Sequence, residues 1–184
     1  MASQDSIYAH CSNSAIRRAA RQLGQLYDQV IAPSGLRGTQ FSLLTQIAYS
    51  DSPTLKALAA ELVMDLSALG HTLKPLIRDG LVELVPDARD RRVKRARLTE
   101  AGKSAQATAQ LLWKDAQTRF DQAFGADKSA QLRDAMALLA SGEFAAAFRD
   151  GNQLAISDPG NDIVEGREAN ALDHDPLRGA YPSI

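Results

Sequence analysis

The sequence predicts a mainly α-helical protein that carries one small β-hairpin. Apolar side chains recur at three- and four-residue spacing through most of the first 150 residues, which is the pattern of amphipathic helices. Only residues 81–85 and 93–98 have strand character, the second with alternating polar and apolar side chains. An aromatic content of only 5% also disfavours an all-β fold, which is normally richer in aromatic side chains.

Four helices are predicted before the hairpin. Pro33 and Gly35 end the first one. Thr39, Thr54 and Asp65 are the predicted N-caps of the other three, because their side-chain oxygens can accept from the free N–H groups of a first turn. The predicted spans are Ser14–Ile31, Thr39 to the turn at residues 50–53, Leu55–Leu62 and Leu66–Asp79, with Gly80 beyond the last.

After the hairpin the pattern returns to helix. Residues 87–92 are predicted to join the strands as a charged loop. Thr99 caps a long helix, Glu100–Phe124, and residues 125–127 separate it from a last helix that continues to Phe148. The segment 151–184 is rich in proline and glycine and poor in apolar residues, so it is predicted to be extended or disordered unless it packs on something.

Charge is unevenly distributed along the chain. Residues 151–184 hold six acidic and two basic side chains, a net charge of −4, so residues 1–150 carry +3 within a total of −1. Between Arg89 and Arg97, six basic side chains accompany one acidic side chain, Asp90, which gives +5 over nine residues. Such a local cationic projection favours contact with phosphates.

Several classes of function are disfavoured. A single cysteine and three scattered histidines provide neither a disulfide framework nor a metal site, so no metal and no cofactor are expected. No nucleotide-binding loop, metalloprotease motif or nucleophile elbow is present, which predicts that the chain is not an enzyme. The first residues have neither the basic nor the apolar region of a signal peptide, and no apolar run is long enough to span a bilayer, which predicts a cytoplasmic protein without a membrane partner.

The order of elements, three short helices and then a hairpin, predicts a winged helix-turn-helix. The fourth helix fits a recognition helix, which needs one buried face and one free face. Its predicted buried residues are Leu66, Leu69, Leu73, Leu76 and Ile77. Its predicted DNA contacts are Ser67, Ala68, His71, Lys74 and Arg78. Ser67, His71 and Lys74 can hydrogen-bond to base edges, and Ala68 can touch a thymine methyl. An ordinary amphipathic helix with a solvated face is the alternative.

The hairpin loop is predicted to be the wing. Its cationic side chains can reach phosphates or the narrow minor groove, and they are Arg89, Arg91, Arg92 and Lys94. Asp90 lies between arginines and is predicted to orient them, because an acid at this place would otherwise oppose DNA binding. A solvated charged loop is the alternative.

Four motifs resemble the MarR family of transcriptional regulators, with similarity over about residues 11–150. They are Leu58-Ala59, Asp79-Gly80-Leu81-Val82, Asp87-x-x-Asp90-Arg91-Arg92 and Leu98-Thr99-x-Ala101-Gly102. The resemblance implies a homodimer whose helical dimerisation region is 1–35 and 100–150 and whose DNA-binding lobe is 36–99. It also implies recognition helices in successive major grooves, wings that reach the minor groove, and a ligand cleft. The acidic tail, 151–184, lies outside the similarity.

The recognition helix departs from that of many similar regulators in one branch of the MarR family. They read Thr-Thr-Leu-Thr-Arg where this chain has residues 67–71, so His71 replaces a base-reading arginine and the operator sequence cannot be carried over. Gly70 costs roughly 1 kcal/mol relative to Ala in a helix interior. Pro75 removes a backbone donor, and we expect a bend in the helix there.

The sequence as a whole predicts a homodimeric, MarR-type repressor that binds a palindromic operator and is released by a small-molecule effector. Tyr27, Phe41 and Tyr49 are the predicted lining of the ligand cleft. A thiol switch at Cys11 is the first alternative, although the sensing cysteine of such relatives aligns with Asn13. The second alternative is a protein-interaction module that no longer binds DNA.

Overall fold

The structure is a computed structural model that describes residues 10–154. Its elements are α1 (Ser12–Ile31), a 3-10 turn (Ala32–Ser34), α2 (Gly38–Tyr49), α3 (Leu55–Glu61), α4 (Leu66–Arg78), β1 (Val82–Pro86), β2 (Lys94–Leu98), α5 (Glu100–Phe124), α6 (Ala126–Leu139) and α7 (Gly142–Asp150). The predicted fold class, mainly α with one hairpin, is confirmed. The described part of the chain divides into two compact units between Ala130 and Gln131.

Three predicted N-caps are confirmed. The Thr54 hydroxyl accepts from the N–H of Ala57 at 3.1 Å, and the Asp65 carboxylate accepts from the N–H of Ala68 at 2.7 Å. The Thr99 hydroxyl accepts from the N–H at position 102 at 3.0 Å. Each bond satisfies a donor that the first helical turn leaves free, so α3, α4 and α5 begin where the sequence indicates.

The predicted N-cap of α2 is wrong, because Thr39 lies inside the helix and α2 begins at Gly38. The Asp28 carboxylate, on α1, accepts from the N–H of Gly38 at 2.6 Å. The Gln40 side chain accepts from the N–H of Arg37 at 2.9 Å. A residue of the preceding helix therefore caps α2, and a search for local capping residues cannot find such a partner.

Two further boundaries differ from the predictions. The single last helix is in fact two, because the hydroxyl of Ser141 accepts from the N–H of Phe144 at 3.0 Å and starts α7. Val93 belongs to the wing loop and not to β2, since its N–H donates to the carbonyl of Asp90 at 2.9 Å. The segment 151–184 was predicted to be extended or disordered, and its residues 155–184 lie outside the described part.

The core of the first unit lies beneath α4 and the hairpin. Its most completely buried apolar side chains are Ile31, Leu44, Ile47, Leu58, Leu69, Leu73, Leu76 and Val82. The two strands pair antiparallel from Val82 with Leu98 to Pro86 with Lys94. The N–H of Ala96 also donates to the carbonyl of Pro53 at 3.0 Å, which fastens β2 to the turn between α2 and α3. Packing therefore fixes α4 and the base of the wing on one scaffold.

Gly102 marks a close approach between α5 and the start of the hairpin. A Cβ atom at this position would lie 2.9 Å from the carbonyl carbon of Leu81 and nearer still to its oxygen. The same carbonyl oxygen accepts from the N–H of Thr99 at 3.1 Å, and the Thr99 hydroxyl donates to the carbonyl of Gly80 at 2.6 Å. Only glycine fits position 102, which gives a physical reason for the Leu98-to-Gly102 motif.

Candidate nucleic-acid interface

The outward face of α4 is polar and cationic. Leu69, Leu73 and Leu76 are buried on the opposite face and anchor the helix in the core. The predicted contacts Ser67, His71, Lys74 and Arg78 are exposed, and Ala68 is half-buried. The Arg78 guanidinium is paired with the adjacent Asp79 carboxylate at 2.8 Å. The structure therefore brings the five predicted α4 residues to one side of the helix or to its edge.

Two residues predicted to be buried on α4 are exposed instead. Leu66 is 57% exposed and Ile77 is 37% exposed. Leu66 is the first residue of the helix, and helical side chains lean toward the N-terminus, so its side chain extends beyond the last core layer. Ile77 borders a shallow depression toward β1, where Leu84 is also exposed. Helical periodicity identifies the face of a residue but not the point at which the core ends.

Acidic side chains organise the wing loop. The Asp90 carboxylate accepts from the Nε and Nη2 atoms of Arg92, both at 3.1 Å, and these bonds lower the pKa of Asp90. Asp90 thus pairs with one of the neighbouring arginines, and its role in orienting them for DNA stays a prediction. Asp87 was missed: it accepts from the N–H groups of Arg89 and Asp90, at 2.8 and 3.1 Å, and from the side chain of Arg95.

Arg95 anchors the wing and is distinct from the projecting arginines. It is half-buried, and its Nη1 atom donates to the carbonyl of Ser52 at 2.8 Å, while its Nε atom donates to Asp87. This ion pair, with the two backbone donors of the loop, lowers the pKa of Asp87 to about 2. Arg89, Arg91 and Lys94 are exposed. Spacing alone did not distinguish the anchoring arginine from the exposed ones, because the distinction depends on a contact 43 residues away in sequence.

The three predicted cleft residues lie in different surroundings. The Tyr27 hydroxyl, on α1, donates to the Gln117 side chain of α5 at 3.0 Å. Phe41 is buried, with its ring centroid 6.2 Å from that of Trp113. Tyr49 is exposed at the other end of α2, about 12 Å from Phe41 along the helix axis. Their common role as a cleft lining stays a prediction.

Cys11 is the N-cap residue of α1 and is half-buried. The side-chain and backbone hydrogen bonds of Ser14 lower the pKa of its thiol. Ser14 is a partner that the sequence analysis did not identify, although its position three residues after an N-cap was a usable signal. A lowered pKa increases the thiolate fraction, which is the reactive form.

Residues 10–154 contain no group of three or more side chains placed to hold a metal ion. None of the helices in this part of the chain combines the length and the apolar character that crossing a membrane requires.

Comparison with known proteins identifies similar sequences and folds. Residues 36–94 match the sequence profile of the MarR family. The chain is 38% identical to the M. tuberculosis transcriptional regulator MosR in complex with DNA, covering 76% of this chain and 98% of MosR with a TM-score of 0.66. The chain is 25% identical to a mutant E. coli MarR complexed with operator DNA. That similarity covers 69% of this chain and 91% of the MarR chain, with a TM-score of 0.63.

A third similarity concerns the fold alone. CouR of Rhodococcus jostii RHA1, bound to p-coumaroyl-CoA, is 22% identical and has a TM-score of 0.63, with 75% of this chain and 97% of CouR covered. No curated protein sequence matches the chain.

Proposed function

Because this chain belongs to the MarR family of DNA-binding transcriptional regulators, we propose that it is a homodimeric repressor that binds an inverted-repeat operator and is released by a small-molecule effector. Members of this family are transcription factors and not enzymes. The proposed site of action of this chain is DNA in the cytoplasm. Recognition helices in successive major grooves require half-site centres about one helical turn, ~34 Å, apart.

The observation that carries the proposal is the combination of a free polar face on α4 with a cationic wing on the same scaffold. Ser67, Ala68, His71, Lys74 and Arg78 are the proposed groove contacts. The proposed wing contacts with phosphates or the minor groove are Arg89, Arg91, Arg92 and Lys94, with Asp90 orienting Arg92. Groove contacts carry sequence information, whereas phosphate contacts set affinity and register.

Exposed apolar side chains support the proposed dimer. Ile16 and Leu26 on α1 and Leu111 and Phe124 on α5 are exposed in the single chain. In the second unit, Phe148 on α7 is exposed as well. Covering these apolar side chains with a second copy of the chain would remove them from water and stabilise the assembly. A homodimer is the simplest closed assembly that does so.

The proposed effector site lies among the aromatic side chains of α1 and α2, and Tyr27, Phe41 and Tyr49 are its candidate lining. Tyr27 contacts α5 through Gln117, and Phe41 contacts it through Trp113. A ligand that displaced these contacts would change how α5 packs on the DNA-binding lobe. Such coupling requires only that the ligand bind one arrangement of the helices better than the other.

A second candidate for the switch is oxidation of Cys11, favoured by the hydrogen bonds of Ser14 that lower its pKa. The two switches predict different effects of peroxide on DNA binding by the wild type and by a Cys11→Ser variant. If peroxide at stoichiometric dose dissociates the wild type and leaves the variant bound, Cys11 is the switch. If both proteins stay bound, the small-molecule proposal stands.

The proposed function is tested by measuring the affinity of the purified protein for duplexes selected from its own genomic DNA, over a series of salt concentrations. We expect log affinity to fall steeply with log salt, and an inverted repeat to bind much more tightly than an isolated half-site. Equal affinity for the repeat and the half-site, or no dependence on salt, contradicts the proposal.

A further inference from the structure

Arg95 connects two segments that lie far apart in the sequence. Its Nη1 atom donates to the carbonyl of Ser52 at 2.8 Å, and its Nε atom donates to the Asp87 carboxylate. The side chains of Arg95 and Asp87 are 38% and 12% exposed. A guanidinium presents its N–H groups in a rigid planar fork, so the two acceptors that it binds are held at fixed positions relative to each other.

The turn between α2 and α3, which provides the Ser52 carbonyl, is itself held in a fixed shape. Asp51 and Ser52 have φ angles of 45° and 62°, a left-handed conformation that is strained for residues other than glycine. The Glu61 carboxylate, on α3, accepts from the Ser50 hydroxyl and from the Gln46 amide, both at 2.8 Å, which ties the end of α2 to the end of α3. This turn is therefore a firm attachment point for the wing.

The two carboxylate oxygens of Asp87 have different partners. Oδ1 accepts from the N–H groups of Arg89 and Asp90, at 2.8 and 3.1 Å, and so shapes the start of the wing loop. Oδ2 accepts from the Nε atom of Arg95. Exposed cations such as Arg89 and Arg91 follow directly in the loop. Asp87 therefore joins the anchored arginine to the segment that carries the exposed ones.

We infer that Asp87 and Arg95 are positioning residues for DNA binding, which transmit the position of the α2–α3 turn to the wing loop and hold its exposed cations in place for phosphates. This inference rests on the proposed DNA-binding function. By its charge alone, an acidic side chain in the wing repels phosphates, so removing it would tighten binding. Positioning predicts the opposite sign, because a loop released from Arg95 must be ordered again when DNA binds.

The experiment breaks the link to Arg95 and keeps the turn of the loop. In Asp87→Asn the amide oxygen can still accept from the loop N–H groups, but the amide nitrogen replaces the oxygen that faces Arg95, so two donors face each other. Glu83→Gln is the matched control, because it removes the same negative charge from the hairpin, where Glu83 pairs with Arg97 across the two strands. Affinity for a duplex selected by the wild type is measured over a salt series, and circular dichroism establishes that each variant is folded.

We expect Asp87→Asn to bind more weakly than wild type despite its more positive charge, and Glu83→Gln to bind at least as tightly as wild type. Each phosphate contact that the released wing loses should lower the slope of log affinity against log salt by about 0.9, which weakens binding about eightfold at 0.1 M salt relative to 1 M salt. Adding Arg91→Ala should change little in Asp87→Asn and should have its full effect in Glu83→Gln, because coupled groups are not additive.

Arg95→Lys is the second test, and it decides the matter if Asp87→Asn does not fold. It keeps the positive charge and replaces the fork by a single nitrogen, so we expect weaker binding at unchanged net charge. Folded Asp87→Asn or Arg95→Lys protein that binds as tightly as wild type overturns the inference. An equal loss in Glu83→Gln, or full additivity of Asp87→Asn with Arg91→Ala, overturns it too. If the wild type selects no duplex, the proposed function itself is refuted, and the inference with it.

Discussion

Replacing Gly102 by alanine tests the close approach that joins α5 to the hairpin. The added Cβ atom would lie 2.9 Å from the carbonyl carbon of Leu81 and closer to its oxygen, a contact that real Cβ atoms essentially never make. The obstructing atoms belong to the backbone of Leu81, so no side-chain rotation relieves the clash. The first turn of α5 must therefore move away from residue 81.

The magnitude follows from what this movement disrupts. Overpacking in a well-packed region costs typically 1–3 kcal/mol. The hydrogen bonds from Thr99 to the carbonyls of Gly80 and Leu81, at 2.6 and 3.1 Å, lie at the same junction and are worth about 1 kcal/mol each. We expect Gly102→Ala to lower the free energy of unfolding by about 3 kcal/mol and the melting temperature by roughly 10 °C.

The assay is thermal and denaturant unfolding of the full chain at one fixed protein concentration, because the proposed dimerisation would make apparent stability depend on concentration. Gly70→Ala is the matched control, since it is the same substitution in a helix interior where a Cβ atom meets nothing within 4 Å. We expect it to stabilise the protein by about 0.5–1 kcal/mol. A Gly102→Ala protein within 1 kcal/mol of wild type would refute the packing argument.

Four other predictions follow from the site. His71→Ala should cost about 1–3 kcal/mol at chiefly one base position, and a selected-site motif identical to that of wild type would exclude a base-reading role. Arg91→Ala should reduce the slope of log affinity against log salt by about 0.9 for each lost phosphate contact, whereas Arg97→Ala should not, because Arg97 is paired with Glu83 across the hairpin. Folding lowers the pKa of Asp87 from 3.8 to about 2, so the Asp87 carboxylate stabilises the folded state fully above about pH 4 and loses this contribution as the pH falls toward 2. The free energy of unfolding, measured from about pH 5 down to about pH 2, should show this loss in wild type and not in Asp87→Asn. Deletion of residues 1–32 should produce monomer or aggregate by light scattering, and a stable DNA-binding dimer would contradict the proposed interface.

Local sequence signals predicted most of the fold because they describe interactions between near neighbours. The N-caps Thr54, Asp65 and Thr99 each bond an N–H group three residues away, so their role is visible in a short window of sequence. The predicted cap of α2, Thr39, was wrong because the group that caps this helix is not a near neighbour. It is Asp28, which lies on α1 and accepts from the N–H of Gly38, ten residues later. Ser141 was a local cap that the sequence analysis did not recognise, and one predicted helix is two as a result.

For the candidate site, the sequence by itself determined which residues are chemically suited to DNA and the order in which they occur. Periodicity gave the outward face of α4, and composition gave the cationic wing. Only the tertiary structure decided that Arg95 anchors the wing while Arg91 projects, that Leu66 is exposed, and that position 102 requires glycine. These outcomes depend on where the core ends and on backbone segments that meet across long stretches of sequence, and periodicity along one element contains no information about either.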